Sequence, residues 1–310
     1  MTINEHLRVF AGLPVAAFDP HAAPPADPAA RAWRVDTDYD GGDALFALRL
    51  DALLAADWAG RVEALVIGQW TDNAYDCSAP IGQLVAAADR LTGLRALFLG
   101  DQVMEESEIS WIQQGDITPL LEAYPALEVL GVRGGENLEL KPVRHDRLRE
   151  LTIECGGLPA SVVRALGESE LPALARLELW LGTEEYGGDA TVDDVAPLLT
   201  GTRLPALRHL GLRNAEIVDH VAAALAGAGV VAQLESLDLS MGILTDTGAS
   251  ALLAGQPLTH LTVLDLHHHY LSAAVTDRIT AELVAAGVEV DLSDAGDPDD
   301  VDERYIEVSE

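Results

Sequence analysis

Lysine is almost missing from this chain: Lys141 stands alone beside many arginines. Basic residues number 19 against 51 acidic ones, a formal net charge of −32. That average field repels polyanions, which excludes nucleic acid and anionic membranes as partners. Nor is there a basic-aromatic stripe of the kind that grips a nucleic-acid strand. With its heavy alanine use, the bias also fits a GC-rich genome or a salt-adapted cytoplasm. Cysteine is scarce too. Cys77 and Cys155 lie far apart and form no CxxC pair, so neither a disulfide framework nor a cysteine-rich zinc site is expected. The opening "MTINEHLRVF" lacks the basic and apolar regions of a signal peptide. The longest strongly apolar run, "VAAALAGAGVVA" at 221–232, is too short to span a bilayer. A reducing cytoplasm is the simplest home. Enzyme signatures are missing as well: no phosphate-cradling glycine loop, HExxH helix or GxSxG elbow occurs. Neither cysteine has a local nucleophile signature. The GG pairs at 41–42, 134–135, 156–157 and 187–188 read as turn punctuation. No cofactor is expected.

What is present is a repeat. Hydrophobic residues make up 49% of the chain, with a mean hydropathy of +0.15, ample for a large core. The pattern L-x-x-L-x-L begins at Leu94, Leu127, Leu148, Leu174, Leu207, Leu234 and Leu261. Val62 opens a degenerate earlier copy, "VEALVI", and "VEVDL" at 288–292 is a degenerate last one. Successive offsets from Leu94 are 33, 21, 26, 33, 27 and 27 residues. Alternating L-x-L puts leucines on one side of a short strand and the intervening residues on the other. The segments between read as helices. "IVDHVAAALAG" places Val218, Val221, Ala222 and Leu225 at i, i+3, i+4 and i+7. "PIGQLVAAADRL" does the same with Ile81, Leu84, Val85 and Ala88, behind a proline at a first helical position. No unit covers its own apolar face, so neighbours must stack and bury it jointly. The expected fold is therefore an α/β leucine-rich-repeat solenoid, a horseshoe with a parallel concave sheet and a mostly helical convex side.

"LESLDLSMGILTDTGASALLAGQPLTHLTVLDL" resembles the ribonuclease-inhibitor type of leucine-rich repeat. "FAGLPV", "EISWIQQGDITPLLEAYPALEVL", "LELWLG" with "YGGD", and "DLSMGILTDTGA" are similar to an actinobacterial family of such proteins. The resemblance implies the fold and assigns no biochemical activity. The chain departs from the general repeat three residues past the last strand leucine. There Gly182, Ala215, Gly242 and His269 stand where the repeat has asparagine, so other groups or water must satisfy the backbone amides. The organisation expected is an N-terminal arm and cap over 1–60, the solenoid over 61–292, and an acidic tail over 293–310. The cap has a strand at "AWRVDTD" and a helix at "GGDALFALRLDALLAAD". Within the tail "DAGDPDDVDE" reads as disordered and "RYIEVSE" as a final strand.

The register also selects candidate site residues. On the concave side, three columns run across the last four repeats: Arg176, His209, Ser236, Val263; Glu178, Gly211, Asp238, Asp265; Trp180, Arg213, Ser240, His267. Parallel strands sit about 4.8 Å apart, so neighbours in a column touch. Trp180 beside Arg213 matches the residue types that dominate binding hot spots, although an inward-turned Trp180 would simply pack. Asp238 beside Asp265 raises the pKa of one carboxyl unless a cation relieves the pair. Arg213 and a protonated His267 are candidates for that cation. A divalent metal on Asp238, Asp265 and His267 is the alternative, which would make the chain a metal-dependent enzyme or accessory protein. The run His267–His268–His269 cannot all reach one ion, and a solvated polar rim is the plainer reading. Two long repeats add acidic loops. One carries Asp101, Glu105, Glu106 and Glu108; the other carries Glu184, Glu185 and Asp189. They would clasp a cationic segment from a rigid scaffold, or stand as solvated charge. The function expected is a non-enzymatic scaffold binding a protein or peptide, with basic segments favoured. An anionic mimic competing with nucleic acid for basic proteins is a third reading.

Overall fold

The computed structural model describes residues 3–37, 42–71 and 77–310. Its backbone is one sheet of twelve strands whose spatial order follows the sequence. A two-residue strand β1 (Val9–Phe10) pairs antiparallel with β2 (Leu13–Ala17). Every later pairing is parallel: β3 (Ala32–Val35), β4 (Ala64–Ile67), β5 (Ala96–Leu99), β6 (Val129–Arg133), β7 (Glu150–Glu154), β8 (Arg176–Gly182), β9 (His209–Ala215), β10 (Ser236–Asp238), β11 (Val263–Asp265) and β12 (Glu289–Asp291). Each L-x-L motif supplies one strand, so the molecule is a leucine-rich-repeat solenoid.

The helices return the chain: α1 (Gly42–Ala55), α2 (Ser78–Ala86), α3 (Thr118–Ala123), α4 (Ala160–Glu168), α5 (Val192–Leu199), α6 (Val218–Leu225), α7 (Asp246–Leu253) and α8 (Ala273–Glu282). Val218, Val221, Ala222 and Leu225 of α6 are all fully buried, as their 3.6-residue spacing requires. They join the strand leucines Leu177, Leu210, Leu237 and Leu264 in one continuous core. Parallel strands repeat at about 4.8 Å while packed helices need roughly 8–10 Å. A stack with helices on one side must therefore curve, with the helices outside.

The corner after each strand is tight. Asn214, Met241 and His268 all have positive φ (48°, 67° and 54°), two residues past the last strand leucine. One residue later lie the positions that lack asparagine. His269, 1% exposed, does that residue's work: its Nδ1 accepts from Leu271 N–H at 3.1 Å and its Nε2 lies 3.1 Å from Leu292 C=O. Gly242 lies so close to the preceding turn that a Cβ there would be 2.6 Å from Ala215 O.

Both ends of the chain join the sheet or lie along its inner face, the side away from the helices. "AWRVDTD" supplies β3 and the segment before it supplies β1 and β2. Phe10 meets Phe98 edge-on at 5.7 Å, over a patch of Ala32, Ala64, Val66 and Ala96. Farther toward the start, Leu7 N–H donates to Asp101 and the Ile3 carbonyl accepts from Met104 N–H. At the other end, "DAGDPDDVDE" follows a turn-rich course with its side chains largely exposed. "RYIEVSE" forms no strand: instead it crosses the strand ends, with Ile306 and Val308 each 3% exposed. Two isolated aliphatic residues among acids give no periodic signal but are enough to seat an extended segment.

Candidate functional site

The first two expected columns stand in register across all four strands, and the third does so where Trp180 meets Arg213. Arg176 pairs with His209, Glu178 with Gly211 and Trp180 with Arg213; Ser236 pairs with Val263 and Asp238 with Asp265. Asp291 of β12 extends the second column by one strand. Gly211 is required here, since a Cβ would fall 2.6 Å from Glu178 Cγ.

The charged residues form a closed ladder. The Glu178 carboxylate accepts from Arg176 at 2.6 Å and from Arg213 at 2.7 Å. Arg213 also meets Asp238 Oδ2 at 3.1 Å, donates to Ser240 Oγ at 3.0 Å, and lies 5.7 Å from the Trp180 ring centre. Burial alone would raise the Glu178 pKa, but Arg176 and Arg213 outweigh it and hold the carboxyl below its ordinary range. Asp238 goes the other way, because its burial exceeds the relief from Arg213 and Ser240. Burial of Asp265 is overcome by hydrogen bonds from His267, so its pKa falls. The hydrogen bond to Asp265 in turn raises the pKa of His267. Arg213 and His267 therefore divide the acid pair between them. Burial, assisted by Arg176, pushes His209 down to about 4; its Nδ1 lies 2.7 Å from Ser236 Oγ.

Several of these residues are not free for a partner. Trp180 is 8% exposed and packs with Ile3, Ile109, Met241 and Val308. Its expected role as an exposed anchor is corrected: the two end segments of the chain cover it. Glu178, Asp238 and Ser240 are likewise buried. Arg176, His209, Arg213, Asp265 and His267 keep partial exposure.

The three histidines do three different things. His267 bridges Asp265 (Nδ1, 2.7 Å) and Glu307 (Nε2, 3.3 Å). His268 Nε2 meets the Tyr305 carbonyl at 2.9 Å, and His269 closes the backbone corner. Among the described residues, one group brings three metal-ligating atoms within 4.8 Å of one another: Asp265, His267 and Asp291. Asp238 is not in it, being held by Arg213 and Ser240.

The acidic loops divide. Glu105, Glu184, Glu185 and Asp189 are exposed, Glu106 and Glu108 half-buried. Asp189 accepts from Ala160 N–H at the start of α4. Asp101 is no loop charge at all. It is fully buried, paired with Arg34 and, at 3.3 Å, with Arg133, which also meets Glu154 at 2.8 Å. The sequence reading missed Arg34, Arg133 and Asn214; two arginines and an asparagine near strand ends were the only signal.

Between ladder and end segments lies a cavity of about 510 Å³. Trp180, Met241, Ile3 and Val308 wall it, with Arg213 and His267 among its polar groups. The Trp180 Nε1 donor has no hydrogen-bond partner among the described residues.

A crystal structure of a protein from Bacteroides fragilis is similar over 89% of this chain and 77% of that one, at 32% identity and a TM-score of 0.80. An internalin from Listeria monocytogenes matches 79% of this chain and 70% of its own at 18% identity, with a TM-score of 0.40. No protein-family model matches the sequence, and no curated protein does.

Proposed function

This chain belongs to the family of the Bacteroides fragilis protein, and on that footing we propose that it is a non-enzymatic scaffold whose inner sheet face holds a segment of another protein. The observation that carries this is the cavity of about 510 Å³, where apolar walls converge with Arg213 of β9 and His267 just past β11, beside Glu5, Asp294 and Glu307. Arg176, His209, Arg213, Asp265 and His267 line the accessible part of the face, while Glu105, Glu184, Glu185 and Asp189 offer a rim suited to basic segments of the partner. Catalysis is not needed to explain any of these groups. Cys155 supports this, since complete burial pushes its thiol up to about 12 and leaves it without nucleophilic character. No cofactor enters the proposal, and a reducing cytoplasm suits two buried cysteines that form no disulfide.

The test is affinity capture from native lysate with chemical cross-linking and mass spectrometry. Cross-links from the captured protein to the inner face and acidic rim are expected. If they fall instead on the helical side, the proposal is wrong.

A second reading rests on the cluster of Asp265, His267 and Asp291. Carboxylates with one imidazole suit a divalent ion such as zinc or manganese. Metal analysis of untagged protein should find a stoichiometric ion that Asp291→Ala removes; less than a tenth of an equivalent would dismiss it.

A further inference from the structure

Residues 304–310 lie across the strand ends as a bound peptide would. Tyr305 meets the β11 repeat: its carbonyl lies 2.9 Å from His268 Nε2, and its N–H donates to the Tyr270 hydroxyl at 3.1 Å. Glu307 N–H donates to the carbonyl of Met241, just past β10, at 2.8 Å. On β9 the Asn214 side chain accepts from Val308 N–H at 3.0 Å and returns a hydrogen bond to the Val308 carbonyl. Beyond it Ser309 presses on Gly156, where a Cβ would sit 2.4 Å from the Ser309 carbonyl, and Glu310 accepts from the Tyr186 hydroxyl at 2.6 Å. The segment thus steps down the solenoid repeat by repeat.

Two features separate this from ordinary packing. First, most of the contacts go to the segment's main chain. The residues that make four of them, Asn214, Met241 and His268, share the positive-φ corner position. Side-chain demands are few: Ile306 and Val308 are buried, and Glu307 between them reaches His267. Main-chain recognition with alternate side-chain pockets is how proteins hold extended peptides of varied sequence. Second, the connection is largely exposed. Val301 is 64% exposed, and a gap of about 610 Å³ opens among Asp294, Asp297, Asp300, Glu303 and the His268–Tyr270 corner. These acids lie on a body that already carries net charge −32, so like-charge repulsion favours release.

We propose that the row Tyr270–His268–Met241–Asn214–Gly156 is a track for an extended peptide of the pattern aliphatic–acid–aliphatic. The chain's own residues 304–310 occupy it as a tethered stand-in until such a segment of another protein displaces them. This rests on the scaffold reading and gives the partner's contact segment its chemistry. The exposed acidic rim takes no part in it.

The probe is a labelled synthetic peptide, RYIEVSE, followed by fluorescence anisotropy. Two opened forms are used: the chain ending at Glu303, and the full-length Val308→Asp variant, each checked for cooperative melting. Both should bind the peptide, and a scrambled peptide should not. Asn214→Leu in either opened form should weaken binding at least tenfold, by removing two main-chain hydrogen bonds. Full-length wild type should bind roughly 100-fold more weakly, because the tethered segment competes at millimolar effective concentration. The proposal is overturned if the folded opened forms do not bind the peptide, or if both lose their cooperative melt, since the segment would then be an integral part of the fold. A concentration-dependent dimer abolished by the truncation would also overturn it, making a second copy the occupant. Cross-linking that places a partner on the helical side sinks the scaffold reading whatever the peptide does. Failure of the peptide alone sinks only the track.

Discussion

Trp180 shows how one side chain changes its meaning with its surroundings. On an open strand face an indole beside an arginine is a docking anchor. Under Ile3 and Val308 it is core. Trp180→Ala should cost about 3 kcal/mol, the usual loss for a large buried aromatic, read as a lowered denaturant midpoint. A change below about 0.5 kcal/mol would show that the end segments do not cover it. The histidines give opposite pH signatures. His209 has a folded pKa near 4, against 6.5 for the free side chain. The unfolded chain therefore binds more protons between those values, and stability falls as pH drops from about 6.5 to 4. His209→Gln should flatten that part of the melting-temperature profile. His267 has a raised pKa, so its contribution is complete below 6.5 and fades as pH climbs through the folded value. His267→Gln should accordingly cost more at pH 6 than at pH 8.5.

At the scale of the element, the unit is a strand, a sharp corner and a helix, and the corner decides whether units stack in register. His269 fills the place of an asparagine with two ring nitrogens facing a donor and a carbonyl. His269→Ala takes the ring partner from a buried N–H and a half-buried carbonyl, with an expected cost of about 2 kcal/mol. His269→Asn should recover part of it. Hydrogen exchange at the Leu271 amide reports the same event locally: protection should drop in the alanine variant and return in the asparagine one. The L-x-L strands and α6 could be read from the residues because alternation and 3.6-residue spacing leave few other ways to bury so many leucines. The corners could not, because a left-handed residue such as Met241 or His268 carries no compositional mark.

For the whole molecule, charge sets the next expectation. A body of net charge −32 repels itself, whereas its main ion ladders, at Asp101 and at Glu178–Arg213–Asp238, are largely buried from salt. Screening should therefore relieve more than it weakens. The melting temperature should rise by a few degrees between about 10 mM and 150 mM salt, and a fall would mean that exposed ion pairs dominate. The columns of the inner face were legible because register follows from pattern. The cover over them was not, because Ile3, Phe10, Ile306 and Val308 are single apolar residues without period. Their contacts also span long stretches of chain; Asn214 and Val308 are 94 residues apart.

Ile3 and Val308 belong to one apolar cluster on the inner face, although they lie far apart in the sequence. A bent spring whose two loose wires are twisted together inside the curve cannot splay without first parting the splice. Small-angle scattering would register such a parting as a larger radius of gyration.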